Sequence, residues 1–235
     1  MRPSEKILEK VRSKIDQLHD WFERLKPEHQ KIVETSEDTV RKIALYCYLD
    51  GYYRIRQTTP LMLAASRAFN WRKQYRLADI WSKLVSEELG HDQVLFKDLI
   101  NSFGSETSLL EALAKTPMAP PTASILGYLH WQITEGDPQL LMIYKLFLEE
   151  YASSQTEAQA DVMELLGEAG TRCLKMHQEL DENHVKDCNE YVDEHFDSEN
   201  IDAAIWTADF IGNALLESQL WIASRILSSL EANES

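Results

Sequence analysis

Two stretches of this sequence carry side chains that bind metal ions well. In EELGHDQVLF, Glu88 and His91 stand three residues apart, and in HQELDENH the run His177, Asp181, His184 has the form HxxxDxxH. On a helix such spacings put side chains next to one another on one face, where they can reach one cation. Spacing alone decides little. With 39 acidic residues and seven histidines in 235 positions, roughly one acid-xx-His match is expected by chance, and three occur, at Asp16/His19, Glu88/His91 and Asp181/His184.

Facing is more informative. At about 100° per residue, Leu77, Trp81, Leu84, Glu88, His91, Leu95 and Leu99 share one arc, so the Glu and His sit in an apolar stripe where a carboxylate needs a partner. His177, Asp181 and His184 fall within about 60° of arc, on a face that also holds Leu166, Leu180 and Cys188. A third candidate lies in KLFLEEYASS. There Glu150 falls inside the arc set by Ile143, Phe147 and Tyr151, while its neighbour Glu149 points away. Glu150 is therefore the expected ligand, with Glu149, and Glu87 beside Glu88, as alternatives.

Carboxylates with imidazoles and no thiolates suit iron or manganese better than structural zinc. The set Glu88, His91, Glu150, His177, Asp181 and His184 is large enough for two adjacent ions, each with an open position.

The elements that must position these residues read as helices throughout. Glycine and proline are sparse (8 and 7), and between them apolar residues recur at three- and four-residue steps. The pattern predicts helices over about 4–25, 28–59, 73–103, 122–134, 138–153, 156–190 and 200–231, with a short segment after Pro60 and a left-handed stop at Gly104. KTPMAPPTAS is the clearest break, too short to mark a domain boundary. The expectation is one all-α domain over 1–235.

The acidic balance, 39 Asp and Glu against 24 Lys and Arg, argues against nucleic acid and anionic membranes as partners. Three cysteines without CxxC spacing, and an N-terminus without an apolar signal core, suggest the cytoplasm. The long apolar final helix is compatible with a homodimer.

In motif order and spacing, Glu88 and His91, a single Glu on a middle helix, and His177, Asp181 and His184 resemble the heme-oxygenase-like di-iron oxidases and oxygenases. The resemblance covers about residues 40–225, and the His-x3-Asp-x2-His run is its most specific part. It implies a multi-helical heme-oxygenase-like bundle holding two ferrous ions through Glu88, His91, Glu150 or Glu149, His177, Asp181 and His184. It further implies dioxygen-dependent oxidation of a small metabolite, commonly N-oxygenation of an amine or oxidative C–C cleavage of an amino or fatty acid. Thiaminase-II-like and pyrroloquinoline-quinone-synthesis proteins share this helical outline and work without metal. A ferritin-like bundle would use only Glu88/His91 and Asp181/His184, and a non-enzymatic interaction protein would use the same residues as a buried polar network.

Overall fold

The three- and four-residue recurrence of apolar side chains becomes ten α-helices among the described residues, with no strand. The computed structural model describes residues 2–25, 36–154 and 157–234, and their side chains apart from 23, 25, 157–158, 178–183 and 230–234. The helices are α1 (Pro3–Leu25), α2 (Glu37–Trp71), α3 (Tyr75–Glu88), α4 (His91–Phe103), α5 (Glu106–Lys115), α6 (Pro120–Thr134), α7 (Leu141–Ser153), α8 (Glu157–Leu166), α9 (Arg172–His195) and α10 (Ile201–Glu234).

The largest apolar cluster draws Ile7 and Val11 of α1, Phe69 of α2, Trp81 of α3, Ile125 of α6, Phe147 of α7, Val192 of α9 and Ile211 of α10 into one core. A second cluster joins Leu49 of α2, Leu95 and Leu99 of α4, Leu109 of α5 and Cys173 of α9. Helix α7 lies in the middle of the first, with nearly every position buried. A helix buried on all sides has no solvent face to orient it. Of the apolar stripe expected on the final helix, Ile211, Leu215 and Ile222 are buried within the chain and Leu220 is exposed. No helix among the described residues is long and apolar enough to cross a membrane.

Three expected boundaries differ. The expected helix over 73–103 is two helices, because Gly90 adopts a left-handed conformation (φ 96°) between α3 and α4. Glu88 and His91 therefore face each other across a bend instead of along one helix. The expected helix over 156–190 is likewise divided, with Gly167 (φ 75°) and a short 3₁₀ turn between α8 and α9. Conversely, α2 continues across Pro60, which was expected to end it. Gly104 stops α4 in the left-handed region as expected (φ 82°), and Ser105 then caps α5 by accepting from the Ser108 N–H at 3.1 Å.

Candidate metal centre

Four helix segments converge on the site. Glu88 is the last residue of α3 and His91 the first of α4, so the bend at Gly90 turns both inward. Thr59 of α2 steadies that end by donating to the Glu88 carbonyl at 3.4 Å. His177 comes from α9, whose start is tied to α4: Asp98 accepts from the Cys173 N–H at 2.6 Å and from the Tyr48 hydroxyl at 3.4 Å. Asn101 also donates to the Ala169 carbonyl at 2.7 Å.

Glu88, His91 and His177 each offer a ligand atom, and these atoms lie within 4.8 Å of one another. The two imidazole rings meet edge to face at 4.8 Å between centroids. The His177 Nδ1–H donates to the Cys173 carbonyl at 2.7 Å, which selects the tautomer with its lone pair on Nε2. Burial pushes the His177 pKa down, so the ring is held neutral, the form that ligates. His91 Nδ1 is buried and lies 3.1 Å from Glu88 Oε2. Two imidazoles and one carboxylate are the donor set of non-heme ferrous centres that keep open positions, and these residues fit one such ion.

On α7, Glu149 lies with Oε2 3.5 Å from His184 Nδ1 and shares the Lys145 ammonium with Glu88. Glu150 turns to α1, where Arg12 donates to it at 2.5 Å. Both glutamates are buried, so an arc drawn through Ile143, Phe147 and Tyr151 could not separate them. The side chain of Asp181 lies outside the described residues.

Lys145, one turn before Glu149, is the residue that sequence reasoning missed. Its side chain is only 3% exposed, and its ammonium donates to Glu88 Oε1 at 2.7 Å and to Glu149 Oε1. Burial alone would lower its pKa, but Glu149 and Glu88 outweigh burial and raise it, keeping the charge. Burial alone would also raise Glu88 and Glu149. Contacts with His91 and Lys145 hold Glu88 below the usual carboxylate range, and contacts with His184 and Lys145 do the same for Glu149. The available signal was a single lysine inside the apolar run LMIYKLFL, four residues from an acid.

Glu88, Lys145, Glu149 and His177 form one wall of a cavity of about 200 Å³. Leu18, Phe22, Leu95, Leu148 and Leu215 make its lining largely apolar, and Arg54, Gln159 and Gln219 add polar groups. Asp50 fixes the Arg54 side. It accepts from the Arg54 guanidinium at 3.1 Å, the Thr122 hydroxyl at 2.5 Å, the Ser218 hydroxyl at 2.7 Å and the Ala119 N–H at 3.0 Å.

Comparison with solved structures gives the fold its class. The chain is similar to a domain of unknown function with a heme oxygenase-like fold from Shewanella denitrificans, with a TM-score of 0.70 and 16% identity over 97% of this chain and 95% of the other. It is also similar to a TenA homolog from Pseudomonas syringae pv. tomato, with a TM-score of 0.64 and 11% identity over 95% of this chain and 92% of that one. The protein thus has the all-helical heme-oxygenase-like fold. No family model matches the sequence, and no curated protein matches it.

Proposed function

We propose that this protein is an iron-dependent oxidase or oxygenase that uses dioxygen to oxidise a small amine- or carboxylate-bearing metabolite, by N-oxygenation or oxidative C–C cleavage. The observation that carries this reading is the meeting of Glu88, His91 and His177 beside a largely apolar cavity that Glu88 and His177 line. Ferrous iron held there supplies the redox chemistry with dioxygen that amino-acid side chains lack; manganese suits the same donors. The protein's own part is positional. Cys173, through its carbonyl, orients His177, and the bend at Gly90 turns His91 toward Glu88. The apolar walls keep water away from the reacting substrate, and Arg54 offers a guanidinium to an anionic group on it.

The test is oxygen uptake by anaerobically iron-loaded protein with a panel of small amines and carboxylic acids, beside a His177→Ala variant. Substrate-dependent uptake that the variant loses supports the reading; iron that washes off the wild-type protein, with uptake equal to that of free iron, overturns it.

A metal-free, thiaminase-II-like enzyme is the second reading. It is favoured by Lys145, which neutralises the paired carboxylates with no metal, and by the likeness to a TenA homolog. It expects turnover unaffected by a strong iron chelator.

A further inference from the structure

Two carboxylates that could help hold a second ion already contact a cation that belongs to the chain. A second ion beside the first would draw on Glu149, His184 and a shared oxygen of Glu88, together with Asp181, whose side chain lies outside the described residues. Glu88 presents Oε2 to His91 at 3.1 Å but gives Oε1 to the Lys145 ammonium at 2.7 Å. Glu149 presents Oε2 to His184 at 3.5 Å and likewise gives Oε1 to Lys145. The ammonium therefore stands between the two carboxylates and occupies an oxygen of each that a second cation would need. It is tethered by a stem buried in the core helix α7, one turn from Glu149. Among the described residues, the one group of three ligand atoms that converge is Glu88, His91 and His177.

We infer that Lys145 acts as a resident counter-cation that takes the place of the second metal ion, so that the centre binds a single ion through Glu88, His91 and His177. The inference rests on the iron reading above and narrows it from two ions to one. The physical basis is charge balance. Two buried carboxylates need a compensating cation, and the lysine provides one that never dissociates. A divalent ion entering beside it would meet a fixed positive charge in a poorly screened interior. Removing the ammonium leaves Glu88 and Glu149 uncompensated, which raises the affinity of the vacated position for a cation.

The experiment is anaerobic titration with ferrous iron followed by desalting and elemental analysis, on wild type, Lys145→Met and Lys145→Arg, with circular dichroism as the check of folding. One iron per chain is expected in wild type and Lys145→Arg, and two in Lys145→Met. Adding Glu149→Gln to Lys145→Met should return the count to one. If Lys145→Met does not fold, Lys145→Gln replaces it, since its amide is a polar, uncharged donor. Two irons in wild type overturn the inference and leave the iron reading standing. A single iron in folded Lys145→Met and in folded Lys145→Gln also overturns it. No retained iron in any of these proteins overturns the iron reading, and the inference with it.

Discussion

Asp50 offers the sharpest test of how the cavity is built. Its carboxylate is buried and receives four donors from three helices: the Arg54 guanidinium of α2, the Thr122 hydroxyl and Ala119 N–H at the start of α6, and the Ser218 hydroxyl of α10. Asp50→Ala removes the acceptor and leaves every donor in place, including a guanidinium that is mostly buried. Breaking a buried pair by deleting one partner costs about 3–5 kcal/mol, and for a chain of this length that lowers the thermal midpoint by roughly 6–20 °C. Asp50→Asn keeps one carbonyl oxygen for Thr122 and Ser218 and should lose less, about 1–3 kcal/mol. Denaturant unfolding of the metal-free proteins measures both. A loss below about 1 kcal/mol for Asp50→Ala would refute the view that this network joins α2, α6 and α10.

Other outcomes follow from single residues. Glu150→Ala should leave iron binding unchanged and cost under about 1 kcal/mol, since its partner Arg12 is largely exposed, whereas Glu149→Ala should alter the site. Gly90→Ala meets no atom within 4 Å, so its cost should be the left-handed backbone alone, about 1–2 kcal/mol, with weakened iron binding as His91 shifts. Glu88 and Glu149 are held below their usual value of 4.5, so their contribution to stability is complete above that pH and is lost as pH falls. Lys145→Met removes one of the contacts that lower each carboxyl and leaves His91 and His184, so the metal-free variant should lose less stability on acidification than wild type, a contrast that unfolding at several pH values would show. Burial pushes the Cys47 thiol up to about 12 and Cys188 up as well, so a thiol reagent at mildly alkaline pH should label both far more slowly in the native than in the unfolded chain.

The helical fold was legible because its signal is periodic. Apolar residues such as Leu77, Trp81, Leu84, Leu95 and Leu99 recur at helical steps, and Gly104 ended α4 where expected. The joints at Gly90 and Gly167 were not legible, because a glycine within a periodic run reads the same whether the helix continues or turns. That turn also changed what Glu88 and His91 mean: they meet across a bend, which no helical spacing encodes. The different surroundings of Glu149 and Glu150 were not legible for a different reason. Helix α7 is buried on all sides, so an apolar arc carries no direction there. Lys145 was passed over because a lone lysine ordinarily runs out to solvent; only the three-dimensional approach of α3 to α7 adds Glu88 to Glu149 as the pair of carboxylates that keeps it inside.

The most direct test of the central claim is equilibrium dialysis of the protein against ferrous iron without oxygen, comparing wild type with His91→Ala/His177→Ala and confirming that both remain helical. Tight binding by wild type that the double variant loses is the expected result. Equal iron uptake by the two folded proteins, or none by wild type, would contradict the assignment of Glu88, His91 and His177 as the metal centre.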